Sequence, residues 1–164
     1  MHTHHFIVGL VLMLAIPASV AKETVGWVEE VRVYPGDIVL KAKIDSGAKT
    51  SSLHCDCARA VKRKGGKWVA FTITNYKGEK IQLEKRLERI AKIKRHFGEA
   101  QERFVIKLGV CLGSTYKETE VNLIDRGGLN YQMLIGRSFL KDSHVIDPSV
   151  TFTREPDCKQ AMAP

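Results

Sequence analysis

Most of the chain after residue 21 either alternates between apolar and polar residues or forms short apolar runs bounded by turn residues. Both patterns are typical of β-strands. Trp27 to Val33 is rich in β-forming residues, Tyr34 to Asp37 has the composition of a turn, and Ile38 to Ile44 ends in alternation. These three segments predict a β-hairpin near the start of the folded domain.

Four further strands are expected downstream, with turns at Asn75 to Gly78 and at Arg126 to Gly128. The predicted strands are Lys67 to Thr74, Arg103 to Leu112, Thr119 to Ile124 and Gln132 to Ile135. A helix is expected at Leu83 to Arg95 and a second, short one at Arg137 to Lys141. The pattern therefore predicts a mainly β domain with one or two short helices.

Residues 1–21 are expected to be a signal peptide. Phe6 to Ile16 is an apolar run that is too short to cross a bilayer, which needs about twenty residues. It is followed by the helix-breaking Pro17 and by the small residues Ser19 and Ala21, at the spacing that a signal peptidase reads. The folded domain would then comprise residues 22–164 and be periplasmic or secreted, whereas an uncleaved segment would anchor it to the membrane.

Composition indicates one globular domain with an excess of positive charge. Of 164 residues, 44% are hydrophobic and 27% charged, which excludes wholesale disorder. Lys and Arg total 26 against 18 Asp and Glu, a formal net charge of +8. Two basic runs hold much of the excess: Arg59, Lys62, Arg63, Lys64 and Lys67 in the first, and Lys85, Arg86, Arg89, Lys92, Lys94 and Arg95 in the second.

The basic runs are expected to be solvated faces with some attraction for anionic polymers or lipids of the cell envelope. Nucleic acid is not expected as a partner, because the protein is predicted to be exported and aromatic residues are not interleaved with the charges. ATP is not expected either, because the chain has no glycine-rich loop that ends in Gly-Lys-Ser or Gly-Lys-Thr.

The segment that carries the most chemical information is Lys43 to His54, in which an apolar strand ends in Asp45, Ser46 and Gly47. Aspartic proteases present a catalytic carboxylate in this way, with the strand delivering the Asp to the floor of a cleft. The hydroxyl residue ties the neighbouring loop, and glycine permits a tight turn where backbone and substrate come close. Alone, the triplet is better explained as an ordinary turn that leaves a strand.

A second segment favours the aspartic protease interpretation over an ordinary turn. Met133 to Leu140 comprises an apolar strand, the pair Gly136 and Arg137, and a short amphipathic helix. It is similar to the hydrophobic-hydrophobic-Gly-Arg element that lies behind the catalytic loop of pepsin-like lobes. In order along the chain, the hairpin, the Asp-Ser-Gly-Ala loop, the β segments and the Gly-Arg helix follow the plan of a retroviral protease subunit.

From about Val25 to Thr153 the chain resembles the bacterial retropepsin-like aspartic endopeptidase family, long labelled an ATP-dependent zinc protease. The matching segments are Lys43 to His54, Gly66 to Ile73, Arg103 to Ile106, Val121 to Arg126, Leu134 to Arg137 and Val145 to Pro148. The resemblance implies a retropepsin-like β-barrel, equivalent to one pepsin-type lobe, that is active as a homodimer. It also implies hydrolysis of protein or peptide substrates without a cofactor.

The resemblance assigns the catalytic carboxylate to Asp45. The residues that it implies support the active-site loop are Ser46, Gly47, Ala48, Gly136 and Arg137.

One departure from the family's viral relatives concerns the arginine of the Gly-Arg pair. In those relatives it pairs with an Asp four residues after the catalytic one, where this chain has Lys49. Arg137 therefore needs another partner, and Asp125 and Asp147 are the candidates.

Aspartic protease chemistry needs two carboxylates that share one proton. The ionised carboxylate activates a water, and the protonated one supports the developing oxyanion. No Asp other than Asp45 is followed by Ser-Gly, so a second copy of the chain is expected to supply the partner. The alternatives are a non-catalytic, envelope-binding module of the same fold and, less favoured, a zinc-dependent hydrolase that uses the cluster from His54 to Cys57.

The four cysteines, Cys55, Cys57, Cys111 and Cys158, are disulfide candidates in an oxidising compartment. A direct bond between Cys55 and Cys57 would be strained, so Cys111 and Cys158 are expected to be their partners, in an order that the sequence leaves open. Cys-x-Cys on a strand is poorly spaced for tetrahedral zinc, so we expect no metal.

Overall fold

The computed structural model describes residues 21–93 and 99–158. Residues 1–20 of the predicted signal peptide lie outside this range, and so do the last two residues of the helix predicted at Leu83 to Arg95. Within the described ranges, no helix has the length and apolar character that a membrane crossing requires.

Twelve strands and one helix form the regular structure of the described residues. The strands are β1 (Glu23–Gly26), β2 (Val28–Tyr34), β3 (Ile38–Ile44), β4 (Ser51–His54), β5 (Asp56–Arg63), β6 (Gly66–Thr74), β7 (Lys80–Arg86), β8 (Arg89–Ile93), β9 (Gln101–Leu112), β10 (Thr115–Ile124), β11 (Met133–Ile135) and β12 (His144–Asp147). The helix α1 comprises Arg137–Leu140.

Six strands close into a barrel in the order β10-β4-β11-β3-β2-β9, because β9 pairs again with β10. β8 extends this sheet along β9 beyond the end of β2. Closure leaves the six strands without an open edge. The alternation in β3 points one set of its side chains into the barrel core, namely Ile38, Leu40, Ala42 and Ile44. This is the mainly β, retropepsin-like barrel that the sequence predicts.

All six predicted strands are confirmed, as β2, β3, β6, β9, β10 and β11, and the short helix is confirmed as α1. The helix predicted at Leu83 to Arg95 is wrong, because this segment contributes to β7 and forms β8. Ile81 and Leu83 lie two residues apart on one face of β7 and pack against the core, while the strand pairs along β6. Tertiary pairing here overrides the helix propensity of a segment rich in Leu, Lys, Arg and Glu.

A separate three-stranded sheet, β5-β6-β7, accounts for part of the long interval between Asp45 and Gly136. One side of it adds Val69, Phe71 and Ile73 to the core cluster of the barrel. The residues of the first basic run are all exposed on β5, β6 and the turn between them.

The chain after β12 returns as an extended segment beside β2. Trp27 donates its N–H to the carbonyl of Val150 over 3.1 Å, and Phe152 donates to Val28 over 2.8 Å. The fully buried Glu29 carboxylate accepts hydrogen bonds that include both the N–H and the hydroxyl of Thr153. Burying a polar group costs free energy unless its hydrogen bonds are satisfied, so the bonds between Glu29 and Thr153 hold this segment in place.

A disulfide joins Cys111 on β9 to Cys158 at the end of the returning segment, with Cα atoms 5.9 Å apart. The expected pairing is therefore wrong, because Cys111 and Cys158 bond to each other and not to Cys55 or Cys57. The returning segment brings Cys158 beside β9, and Asp157 donates its N–H to Gly113 over 2.9 Å. Sequence spacing carries no sign of this approach.

The first prediction concerns His144, which is buried at the start of β12. Its ring stacks on Phe139 with centroids 5.7 Å apart, and its Nδ1 lies 2.9 Å from the hydroxyl of Ser143. Burial lowers the pKa of His144, and the carboxylate of Glu23 opposes this effect only in part. The unfolded chain therefore binds a proton at this histidine more readily than the folded chain does.

The free energy of unfolding that depends on neutral His144 should be fully present above the ordinary histidine pKa of about 6.5. It should be lost as the pH falls through the lower pKa that His144 has in the folded chain. His144→Gln should weaken this loss. The measurement is the free energy of unfolding in urea at pH 7.5 and 5.0 for both proteins. The same fall in stability in wild type and variant would contradict the assignment.

Candidate active site

Asp45 directly follows β3, and its position is fixed by the neighbouring strand β11. The two strands are parallel, with Ile44 opposite Ile135, and Asp45 donates its N–H to the carbonyl of Ile135 over 2.9 Å. Because both strands end at the same edge of the sheet, the loop that begins at Asp45 and the turn that begins at Gly136 leave the barrel side by side.

The loop turns back around its own carboxylate. Asp45 Oδ1 accepts the N–H of Gly47 over 2.8 Å and that of Ala48 over 3.3 Å. The other oxygen, Oδ2, lies 3.8 Å from the ammonium nitrogen of Lys43, and the Asp45 side chain keeps 24% of its surface exposed. A Cβ on Gly47 would lie 3.0 Å from Oδ1, so glycine at this position keeps the turn tight.

Helix α1 and the turn before it support the loop from behind. Arg137 donates its backbone N–H to the carbonyl of Ala48 over 2.9 Å. Its guanidinium Nη1 donates to the carbonyls of Ser46 and Gly47, over 2.7 and 2.9 Å. The three loop carbonyls are thus satisfied by one residue.

This arrangement corrects the expected partner of Arg137. Neither Asp125 nor Asp147 pairs with it, since the guanidinium instead binds backbone carbonyls of the Asp45 loop. With a lysine at position 49, the arginine lacks the carboxylate that its counterpart in viral relatives pairs with, and it binds carbonyls of the loop instead.

Gly136 is required by close packing against the far end of the loop. A Cβ on Gly136 would lie 2.7 Å from the carbonyl carbon of Thr50, a separation that real Cβ atoms essentially never show. Its N–H donates to the hydroxyl of Ser51 over 3.2 Å. Ser138 donates its N–H and its hydroxyl to the carbonyl of Lys49. The backbones of loop and helix therefore touch directly.

Lys117 on β10 caps α1 and carries no signal in the sequence. Its ammonium donates to the carbonyl of Phe139 over 2.7 Å, to that of Lys141 over 3.2 Å and to the hydroxyl of Ser143 over 2.8 Å. Burial lowers the pKa of Lys117. A cation at this end of a helix satisfies carbonyls that have no partner within the helix.

Asn122, also on β10, holds the end of the Asp45 loop. Its buried amide donates to the hydroxyl of Thr50 over 2.8 Å and to the carbonyl of Ser51 over 3.2 Å. Asn122 belongs to the segment from Val121 to Arg126 that matches the family, but only the folded chain brings it to the loop.

Arg126 is a second cation near Asp45. Its Nε donates to the carbonyl of Tyr131 over 3.2 Å and its Nη1 to the hydroxyl of Ser52 over 3.1 Å, so the half-buried guanidinium has a fixed position. Burial and the charge of Arg103 lower the pKa of Arg126, while the negative charge of Asp45 raises it. Arg103 and Asp45 are therefore both within electrostatic reach of Arg126.

The register of three strands places these groups on one face. Ser52 on β4 lies opposite Leu134 on β11, which lies opposite Lys43 on β3. Asp45 is two residues beyond Lys43 and belongs to the same face of the strand. This face therefore carries the carboxylate and an ammonium at one side and the guanidinium of Arg126 at the other.

The described side chains of the cluster from His54 to Cys57 make other contacts. His54 Nδ1 accepts the N–H of Arg126 over 2.8 Å, and its Nε2 lies 3.6 Å from a carboxylate oxygen of Asp56. Cys55 is buried in the core. Within the described part of the chain, no three His, Cys, Asp or Glu side chains are placed to hold a metal ion together.

The barrel and this loop define a retropepsin-like protein, and comparison with known families agrees. The family model described as retropepsin-like aspartic endopeptidase RimB matches residues 24–157. The chain belongs to this RimB-like family, which confirms the resemblance predicted from its motifs.

Relatives of known sequence carry a different name. Proteins named "Probable alpha-L-glutamate ligase" from Shewanella pealeana and Desulfotalea psychrophila are 36% identical over 116 residues and 32% identical over 142 residues. These alignments cover 69% and 80% of this chain but 25% and 29% of the relatives. The match thus spans only about a quarter of each relative.

A solved structure shares the fold. The crystal structure of a Legionella pneumophila protein of unknown function superposes with a TM-score of 0.72 and 29% sequence identity. The superposition covers 82% of this chain and 100% of the Legionella chain.

The second prediction tests the support from α1. Arg137→Met should remove both side-chain hydrogen bonds to the loop, lower the free energy of unfolding by about 1–3 kcal/mol and speed hydrogen exchange at the amides of Gly47 and Ala48. Arg32→Met is a matched control, because Arg32 bonds to Asp37 at the opposite end of the hairpin. Exchange at the loop that is equally fast in both variants would contradict a specific role for Arg137.

Proposed function

We propose that this chain is an aspartic endopeptidase whose catalytic carboxylate is Asp45. The observation that carries the proposal is the geometry of the Asp45 carboxylate in a RimB-like fold. One of its oxygens is fixed by two loop amides, and the other is directed away from them. A carboxylate held in this way can orient a water and take a proton from it without losing its position.

The proposed reaction needs a second carboxylate, which we assign to Asp45 of a second copy. One carboxylate of the pair is ionised and takes a proton from the water as its oxygen attacks the peptide carbonyl carbon. The other is protonated and donates a hydrogen bond to the carbonyl oxygen as negative charge develops there. Proton transfer to the amide nitrogen then releases the two peptide products, and no cofactor takes part.

A glutamate-bearing peptide is the substrate class that we favour. The relatives are named as probable alpha-L-glutamate ligases, and the matched region is about a quarter of each of them. In this chain Lys43 contacts Asp45, and Arg126, held by Ser52 on the same face, adds a second positive charge that would attract an acidic side chain. A fixed guanidinium is suited to binding a carboxylate.

A second candidate is a non-catalytic module of the same fold that binds anionic envelope surfaces. The exposed basic residues of β5, β6 and β8 favour it. Failure of the wild type to cut any peptide would support this candidate, whereas activity that is lost only with a chelator would support a zinc-dependent hydrolase.

The third prediction tests catalysis by Asp45. Asn is nearly isosteric with Asp but cannot accept or share the proton, so Asp45→Asn should fold and dimerise yet lose at least about a thousandfold in peptide hydrolysis. The measurement is digestion of a peptide library by wild type and variant, with glutamate-rich members and matched glutamine-rich members. Turnover retained in the purified variant would refute the aspartic mechanism.

The same proteins test the shared site. Specific activity should fall when wild type is diluted below its dimer dissociation constant, and an excess of Asp45→Asn should inhibit wild type by forming inactive heterodimers. A surface variant such as Lys62→Met is the matched control for the mixing experiment, since Lys62 is exposed on β5. Constant specific activity in a demonstrably monomeric range would rule out a site shared between copies.

We further propose that the protein acts outside the cytoplasm. The predicted signal peptide and the disulfide between Cys111 and Cys158 both support an oxidising compartment.

The fourth prediction is that protein recovered from its native envelope begins at Lys22. Its intact mass should be lower by two hydrogens for each disulfide. Mass spectrometry before and after reduction gives both values. A chain that retains Met1 would contradict cleavage, and four free thiols would contradict oxidation.

A further inference from the structure

We propose that Lys43 is a positioning residue for the catalytic carboxylate, and that its ammonium sets the pH range in which the paired Asp45 carboxylates hold one proton. The inference rests on the proposed function and gives Lys43, named there only as a charge that attracts substrate, a second role toward the catalytic carboxylate. It starts from the contact between Lys43 Nζ and Asp45 Oδ2, at 3.8 Å.

The two oxygens of the Asp45 carboxylate have different neighbours. Oδ1 accepts the amides of Gly47 and Ala48, which fix the orientation of the group. Oδ2 has no loop amide and faces the ammonium of Lys43 instead. The lysine therefore acts on the oxygen that remains for the water and for the partner carboxylate.

The strand makes this contact a consequence of the fold. Ala42 and Ile44 are buried on the inner face of β3, so Lys43 projects from the outer face, as Lys41 does two residues earlier. Asp45 follows on that same outer face. A side chain at position 43 therefore lies next to the Asp45 carboxylate as long as β3 keeps its register with β2 and β11.

Other charged groups around Asp45 are engaged elsewhere. Arg137 of α1 is bound to the loop carbonyls, and Arg126, from the connection between β10 and β11, is held by Ser52 and Tyr131. Lys49 in the loop itself is exposed, and it adds a little to the lowering of the Glu120 pKa, which comes mainly from the hydrogen bonds that Arg89 donates to Glu120. Within the described residues, Lys43 supplies the one ion-pair contact to Asp45.

A second copy would strengthen the effect. In a single chain the Lys43 side chain is 46% exposed, and solvent screens its attraction for the carboxylate. Pairing two Asp45 side chains would remove them from water and bring like charges together, which opposes ionisation of the pair. Two ammonium groups offset that repulsion, so removing them should move both limbs of the pH–rate profile to higher pH.

The test compares Lys43→Met, Lys43→Gln and Lys43→Arg with the control Lys41→Met. Lys41 is on the same face of β3, but its ammonium lies 4.5 Å from the ring centroid of Tyr76. With a peptide that the wild type cuts, we expect both limbs of the pH–rate profile to move to higher pH, by about 0.5–1 unit, in Lys43→Met and Lys43→Gln. The wild-type profile should be retained with arginine and in the control.

An unshifted profile in both neutral variants, or an equal shift in Lys41→Met, would overturn the proposal. Carbon NMR of the Asp45 carboxyl provides a readout that needs no turnover, because its titration midpoint should rise in Lys43→Met and Lys43→Gln and not in Lys41→Met. If the wild type cuts no peptide, the proposed function fails, and the NMR titration alone decides whether Lys43 acts on Asp45. An unchanged midpoint in both neutral variants would overturn the inference in that case.

Discussion

The candidate site depends on the contact between two backbone connections that leave parallel strands at the same edge of the barrel. The loop after β3 and the turn into α1 touch so closely that Gly136 has no room for a side chain. Arg137 then bonds to carbonyls of the loop with its backbone and its guanidinium. Because a loop rich in small residues has few side chains with which to pack, this backbone contact is what gives the Asp45 carboxylate one position.

Other elements of the fold hold the residues around this contact. Lys117 and Asn122 reach from β10 to the carbonyls of α1 and to the end of the loop. The segment after β12 is bound to the buried Glu29 and fastened by the disulfide at Cys158. This segment lies against Trp27, whose carbonyl accepts the N–H of Ile44 beside Asp45. Elements distant in sequence thus meet around one short loop.

Two cations share the face of the barrel that carries the Asp45 carboxylate. An aspartic mechanism keeps one proton between two carboxylates, and here the carboxylate also faces the ammonium of Lys43 and the field of Arg126. Cations in this position would favour ionised carboxylates and acidic ligands together. The proposals for substrate class and for pH range therefore rest on the same electrostatic arrangement and can fail separately.

Local pattern was sufficient for the elements whose residues carry their own constraint. Alternation in Ile38 to Ile44 determined a strand with one buried face, and the family resemblance carried by the Asp-Ser-Gly and Gly-Arg motifs implied that Gly136 and Arg137 would support the Asp45 loop. The helix prediction for Leu83 to Arg95 failed because helix propensity contributes less than strand pairing with β6 and β9. No local sequence pattern shows that pairing.

Tertiary structure alone decided the contacts between residues far apart in sequence. It pairs Cys111 with Cys158, turns Arg137 towards carbonyls and not towards a carboxylate, and places Arg126 on the face that carries Asp45. The physical reason is that strand order and register set these distances. The sequence by itself determined that a carboxylate follows β3 at position 45, and the closed barrel determined which charges surround it.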